Sequence, residues 1–276
     1  MEWRTSMVQN DDQMKISILS SGSTGNVTYI ETPQRKVLVD AGLSGKKIEG
    51  LMQSIGRDMT DVDDLLVTHE HTDHIKSVGI LARRYPQLNV YANQPTWDAM
   101  LPTIGKVPVA QQHIFEMGAL KSFADLDIQS FGVSHDAAAP QFYEFQHNGK
   151  TFVILTDTGY VSERLSAQIS DADAYLFECN HDVEMLRMGM YPWPLKQRIL
   201  GDKGHLSNEA GADGLMDVIG NRTKNVFLGH RSLHNNMKEL CHLTVASMLK
   251  QHDFGVGHDF NLYDTEPDAA LPLLSL

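Results

Sequence analysis

A chain of 276 residues with 42% hydrophobic and 21% charged side chains can bury a full core and has an ordinary globular composition. Its net charge of −12 argues against a nucleic-acid coat or an anionic membrane surface as the default partner. No apolar run approaches the roughly 20 residues of a membrane span. Met1 to Gln13 is polar and lacks the apolar segment of a secretory signal, so residues 1–13 are read as an extension outside the fold. Cys179 and Cys241 lie far apart and form no C-x-x-C, which points to free thiols and a cytoplasmic protein.

In chain order, Lys15 to Leu19 is a short strand, Ser20 to Asn26 a small-residue turn, and Val27 to Glu31 and Lys36 to Val39 two more strands. The last of these ends at Asp40-Ala41-Gly42. Lys46 to Ser54 reads as a helix and Leu65 to Thr68 as a buried strand. Ile75 to Arg84 carries apolar residues at helical spacing. Asn89 to Ala92 is a strand, and several short strands fill Ile114 to Phe131. Gln141 to Gln146 and Thr151 to Leu155 form a hairpin turning at Asn148-Gly149. Tyr175 to Glu178 is buried. Ser207 should cap a helix that Gly220 closes, and Asn225 to Leu228 is a strand. Asn236 with Glu239 should form a capping box for a helix with Met237, Leu240, Cys241, Thr244 and Met248 on one face. Asp259 to Tyr263 is a last strand. Strands and helices alternate with no linker, so residues 14–276 are read as one domain, with two sheets between outer helices.

The densest chemistry lies in His69-Glu70-His71-Thr72-Asp73-His74, directly after a strand. Three imidazoles and a carboxylate within one turn of chain are the donors that divalent ions take in the absence of thiolates. Three further candidates each follow a strand end: His135, Asp157 and His230. Seven N and O donors exceed what one tetrahedral ion needs, so two ions are expected. His205 precedes the helix start at Ser207 and Asn208, where backbone N–H groups suit a phosphate or a leaving oxygen; a plain loop histidine is the alternative. His181 has a weaker claim of the same kind. Lys196, Arg198 and Lys203 form a basic stretch that either tracks phosphates or is simply solvated. His113, His147, His234, His242, His252 and His258 are read as structural or surface residues.

The H-x-H-x-D-H motif with His135, Asp157 and His230 in this order resembles the metallo-β-lactamase superfamily, an αββα four-layer sandwich, over essentially residues 14–276. The resemblance implies that His69, His71 and His135 bind one ion and Asp73, His74 and His230 a second. Asp157 would bridge them, and Asp40 would orient the histidine loop from behind. Asp157 in place of a thiolate sets the chain apart from the β-lactamases that bind zinc through Cys. Ser21-Gly22-Ser23-Thr24-Gly25-Asn26, Glu178-Cys179-Asn180-His181-Asp182 and Gly204-His205-Leu206-Ser207-Asn208 are similar to the bacterial YycJ group, also called WalJ or VicX. Cys179 stands where that group more often has Ser, and Gly229-His230-Arg231-Ser232 replaces its commoner Leu-Ser-His-Leu-Ser.

That resemblance implies a dinuclear hydrolase of nucleic-acid phosphodiesters, a 5′→3′ DNA exonuclease using Zn²⁺ or Mn²⁺, with Fe also compatible. Asp73 and His205 would be catalytic, Asp73 as the acceptor of a proton from the attacking water and His205 as the proton donor. His181, Lys196, Arg198, Ser207 and Asn208 would contact substrate. The ligands alone leave two other readings open: a thioester or lactone hydrolase like glyoxalase II, and a non-catalytic metal- or nucleic-acid-binding module. The YycJ-like segments favour the nuclease.

Overall fold

The computed structural model describes residues 12–276, so all but the last two residues of the expected extension at 1–13 lie outside the described residues. Period-two alternation assigns each strand side chain to one of two cores. Val37 and Val39 face one apolar cluster, and Leu38 between them faces the other. Leu66 likewise faces away from Leu65 and Val67.

The first sheet contains β1 (Lys15–Ser20), β2 (Val27–Glu31), β3 (Lys36–Val39), β4 (Asp64–Leu66), β5 (Asn89–Ala92) and β6 (Gln112–Ile114), with the final strand, β14 (Leu274–Ser275), beside β1. The second contains β7 (Leu120–Phe123), β8 (Leu126–Gly132), β9 (Gln141–His147), β10 (Lys150–Leu155), β11 (Ala174–Glu178), β12 (Asn225–Gly229) and β13 (Asn261–Asp264). Each sheet is antiparallel at one end and parallel at the other. The parallel parts run from β3 to β6 and from β10 to β13. One core holds residues of both sheets, and the Tyr143 hydroxyl donates across the interface to the Val67 carbonyl at 2.9 Å.

On the outer face of the first sheet pack α1 (Gly45–Ser54), α2 (Thr72–Ile75), α3 (Val78–Arg84) and α4 (Gln94–Ile104). The other side carries α5 (Glu163–Ile169), α8 (Asn208–Val218) and α9 (Lys238–Gln251). Two short helices, α6 (Val183–Met188) and α7 (Trp193–Ile199), lie in the long connection after β11. This is the expected single αββα domain, and among the described residues no helix is long and apolar enough to cross a membrane.

Several local expectations are corrected. The helix expected over Ile75 to Arg84 is two helices. The Ser77 N–H leaves the helical ladder and donates to the Ala41 carbonyl at 2.9 Å, which separates α2 from α3. Gly220 is no left-handed cap: a Cβ there would meet the Asp171 carboxylate at 2.3 Å, so close approach excludes larger residues. Asn236 does not cap α9. Its side chain is buried and donates to the Cys179 and Asn180 carbonyls at 3.1 and 3.0 Å. The buried face of α9 is Cys241, Val245, Ala246 and Leu249, set by where α8 and β13 lie rather than by the apolar count. The hairpin turn at Asn148-Gly149 forms as expected, both residues having positive φ (47° and 75°).

Backbone contacts also hold the histidine loop. Asn26 N–H donates to the Asp73 carbonyl at 2.9 Å, and Ala41 N–H donates to the His74 carbonyl at 2.7 Å. A Cβ on Gly42 would fall 1.6 Å from the Asp73 carbonyl oxygen and 2.7 Å from the Asn26 nitrogen. No side chain fits between these strands of backbone. Gly42→Ala is therefore expected to cost about 2 kcal/mol or more, a melting-temperature loss of roughly 4–8 °C, together with weaker metal binding. Calorimetry and metal titration check this; an unchanged melting temperature would contradict it.

Candidate metal centre

The site is built at one edge of the sandwich, from the carboxyl ends of strands in both sheets. Asp40 follows β3, His69 to His74 follow β4, His135 follows β8, Asp157 follows β10, Glu178 ends β11 and His230 follows β12. In open α/β sheets this edge is where ligands bind. Asp40, Asp157 and His230 have left-handed backbones, with φ of 62°, 52° and 54°. Non-glycine residues held in this region cost roughly 1–3 kcal/mol each and concentrate at functional sites. Each turn swings its side chain off the strand and over the sheet edge.

The structure brings all seven expected ligands together. His69, His71 and His135 form one group, Asp73, His74 and His230 another, and His69, His74 and Asp157 a third that links them; within each, donor atoms lie within 4.8 Å of one another. Asp157 sits between the groups. Its carboxylate is 3.4 Å from His74 Nε2, 3.3 Å from His230 Nε2 and 3.9 Å from His135 Nε2. Asp73 stands 3.4 Å from His230 Nε2 and 3.6 Å from His74 Nε2.

In four of the five imidazoles, those of His69, His74, His135 and His230, the far nitrogen has its own partner, which fixes which nitrogen faces the cluster. His74 Nδ1 lies 2.7 Å from Asp40. His69 Nδ1 lies 3.0 Å from the Thr68 hydroxyl, and that hydroxyl donates to Asp40 at 2.9 Å. His135 Nδ1 donates to the Gly204 carbonyl at 3.1 Å, and His230 Nδ1 to Glu178 at 3.0 Å. The inward atoms are left short of partners. His69 Nε2 and Asp157 Oδ2 are fully buried with no hydrogen bond among the described residues. His71 Nδ1 and His135 Nε2 face each other at 3.2 Å, two ring nitrogens directed at one spot.

Charge points the same way. Burial, reinforced by His74, holds the His69 imidazole well below its ordinary pKa, so it is neutral with a lone pair to offer. Burial works against the charge on Asp157, yet His230, His74 and His69 hold its carboxyl well below the usual range. Burial opposes a proton on His230, but Asp157, Asp73 and Glu178 push its pKa up to about 10. The carboxylates here call for positive charge in a water-poor site. A neutral imidazole whose inward lone pair has no hydrogen bond, beside a buried carboxylate, fits a hard or borderline divalent cation better than the two fit each other.

Glu178, which the sequence marked only as part of a motif, ties the site together. One oxygen of its carboxylate accepts from His205 Nδ1 at 2.8 Å and from His230 Nδ1 at 3.0 Å. The other accepts from the backbone N–H groups of Thr158 at 3.0 Å and Leu206 at 3.2 Å. Although it is fully buried, His205 and His230 hold its pKa down to about 2. Asn26, whose amide lies 3.1 Å from His74 Nε2, and Asn180, which donates to the His230 carbonyl at 2.7 Å, were also missed. The signal for Glu178 was present: an acidic residue ending a strand whose neighbours are all buried.

The expected substrate contacts divide. His205 is 17% exposed and keeps Nε2 toward solvent-accessible space once Glu178 has engaged Nδ1. Arg198 is half exposed and makes a two-bond ion pair with Asp136, whose carboxylate is 3.6 Å from His135 Nε2. Lys196 is turned inward, its ammonium donating to the Arg187 and Gly189 carbonyls at 2.7 Å each, so it does not line a phosphate track. Asn208 is fully buried and paired through its side chain with Asn236. The Ser207 hydroxyl caps α8 by accepting from Ala210 N–H. His181 is 1% exposed, and neither ring nitrogen has a partner among the described residues.

Comparison with known proteins gives a consistent result. A family model for the β-lactamase superfamily domain matches residues 35–230. The chain is 58% identical over 264 residues to exodeoxyribonuclease WalJ of Streptococcus pneumoniae (serotype 2, strain D39), covering 95% of this chain and 98% of the relative. It is 52% identical over 254 residues to exodeoxyribonuclease YycJ of Bacillus anthracis, covering 92% and 96%. Among solved structures, the metallo-β-lactamase fold protein YhfI of Bacillus subtilis superposes with a TM-score of 0.70 at 13% identity, covering 94% of this chain and 99% of that one, a likeness of fold.

Glu178→Gln keeps the side-chain shape and removes the charge beneath two imidazoles. The expected result is a folded protein whose divalent-metal affinity falls about 10–100-fold, the usual effect of losing a carboxylate behind a ligating histidine. Calorimetric titration with Zn²⁺ or Mn²⁺ checks it; unchanged affinity would remove Glu178 from the account of the site.

Proposed function

Because the chain belongs to the metallo-β-lactamase superfamily, in the group that contains the WalJ and YycJ exodeoxyribonucleases, we propose that it hydrolyses phosphodiester bonds of DNA from a 5′ end, with two divalent ions in the histidine and aspartate cluster. The observation that carries the reading is the pair of buried atoms without a hydrogen bond, His69 Nε2 and Asp157 Oδ2, among seven converging donors. His69, His71 and His135 would hold one ion, Asp73, His74 and His230 the other, and Asp157 both. The His and carboxylate donors suit Zn²⁺ or Mn²⁺ and also accept Fe. Bound there, the ions supply Lewis acidity at the phosphoryl oxygens and lower the proton affinity of water.

The chain's own groups do the rest. Asp73 is 25% exposed, where Asp157 is 2% exposed, so Asp73 is the cluster carboxylate that an attacking water can reach and the one that accepts its proton. Glu178 engages Nδ1 of His205 and so fixes the ring, which leaves Nε2 as the nitrogen that can pass a proton to the departing ester oxygen. Asp40 and Thr68 hold the ligand loop still while charge moves. The thioester reading shares the same metal ligands. What favours the nuclease is the high identity to two exodeoxyribonucleases over nearly the full chain.

Purified protein loaded with Mn²⁺ or Zn²⁺ is expected to shorten 5′-phosphorylated DNA from that end in preference to RNA or a thioester. Efficient thioester turnover with no cleavage of any nucleic acid would overturn the reading. His205→Ala should lower kcat by about 10²–10⁴-fold while leaving bound metal unchanged. Asp73→Asn should abolish turnover in a protein that remains folded; near-native hydrolysis by that variant would remove Asp73 from the mechanism.

A further inference from the structure

The connection after β11 carries an unusual load of exposed apolar side chains. Met188 is 84% exposed, Met190 is 100% exposed and Trp193 is 59% exposed, all within six residues of one another. Contiguous exposed apolar surface gives the folded monomer nothing and marks an interaction site. It is also held in place. The Lys196 ammonium donates to the carbonyls of Arg187 and Gly189, closing the α6–α7 connection from beneath. Gly189 passes so close that a Cβ would lie 2.7 Å from Asn235 Oδ1 and 2.8 Å from the Met185 carbonyl. The loop that displays Met190 and Trp193 is thus pinned at both its base and its tip.

The same connection reaches the candidate centre. On α7, Lys196 and Ile199 point inward, and Trp193, Pro194, Gln197 and Arg198 form the outer face. Trp193 and Arg198 stand about 7.5 Å apart along the helix axis, roughly two base steps. Arg198 pairs with Asp136, whose carboxylate lies 3.6 Å from His135 Nε2 and 3.9 Å from His71 Nε2. The same connection ends at Gly204, whose carbonyl holds His135 Nδ1. A chain lying along this face from the cluster therefore meets Arg198 first and Trp193 next.

We propose that Trp193, with Met188 and Met190, is a stacking platform for the unpaired nucleobases of a DNA strand whose scissile phosphate lies at the metal cluster. The proposal rests on the nuclease reading above and adds how substrate is held. Charge decides for stacking over a phosphate track. The chain carries −12 overall. In this connection Lys196 is committed to carbonyls, Arg187 pairs with Glu184 at 3.1 Å and Arg198 with Asp136, so Lys203 is the one cation of the stretch without an ion pair or side-chain hydrogen bond among the described residues, too little to follow a backbone. Aromatic stacking is indifferent to net charge, accepts any base and contributes enough per base to hold a strand. Thioether side chains extend such a surface and adapt to different bases.

Two readouts test it. In steady-state assays on full-length, Mn²⁺-loaded enzyme, Trp193→Ala should raise KM for 5′-phosphorylated oligo(dT) by about five- to a hundredfold. It should leave turnover of bis-p-nitrophenyl phosphate, which has no base to stack, unchanged. Trp193→Phe, which keeps an aromatic face, should recover most of the loss. In metal-free protein, oligo(dT) should quench tryptophan fluorescence, and Trp193→Phe should abolish the quench. An unchanged KM for Trp193→Ala, or a quench that persists in Trp193→Phe, would overturn the platform while DNA cleavage still stood. A dimer in sedimentation that Trp193→Ala dissociates, and oligo(dT) does not, would assign the face to a second copy of the chain and equally overturn it. Absence of any nucleic-acid cleavage would instead strike the underlying nuclease reading.

Discussion

One buried carboxylate, that of Glu178, sets the relative positions of three loops that are far apart in sequence. It accepts hydrogen bonds from the backbone beside Asp157, from His205 and its neighbour Leu206, and from His230. An acceptor-only group with two oxygens is the one side chain that can serve four donors at once in this space. Its charge is stable there because two imidazoles and two amide dipoles replace the water it has lost. Asp40 does the corresponding work in the first sheet, between Thr68 and His74. The cluster is thus clamped from behind by one carboxylate of each sheet. The inner nitrogens of His69, His74, His135 and His230 face the cluster because their outer nitrogens are already engaged.

The parts of this arrangement that local sequence dictates were legible. Short apolar runs marked the strands that feed the site, and the dense H-x-H-x-D-H run with donors after successive strand ends marked where their edges meet. What escaped was fixed by tertiary contact. Helix α4 contains Pro95 and Pro102, which hide its periodicity, although Pro95 lies in the first turn, where a proline is tolerated. The break at Ser77 depends on the Ala41 carbonyl, and the inward turn of Lys196 on two carbonyls across a loop. A basic residue near a site reads as a phosphate ligand until its partners are known. Asn236 read as a cap because caps are local, whereas its actual partners are 28 to 57 residues away. Left-handed backbone at Asp40, Asp157 and His230 has no signature in composition, since Asp is tolerated there and His only less so.

Net charge and substrate class stand in tension in this molecule, and the site resolves it locally. A polyanion approaching a chain of −12 gains little from long-range attraction at physiological salt, where fields decay within about 8 Å. The attraction has to be short-ranged: cations in the cluster for the scissile phosphate, and apolar surface for what flanks it. Such an enzyme would show a shallow salt dependence, because few phosphates meet fixed positive charge. The exposed thioether and indole groups lie on the stretch from α6 to α7, residues 183–199, none of which belongs to either core cluster.

The central claim is that this buried cluster is a dinuclear metal centre with Asp157 in common. Anomalous diffraction from crystals of the Mn²⁺-loaded protein tests it directly. The account predicts two peaks, one among His69, His71 and His135 and one among Asp73, His74 and His230, both in contact with Asp157. A single peak at full metal loading, or metal seated instead on Glu178 and His205, would contradict it.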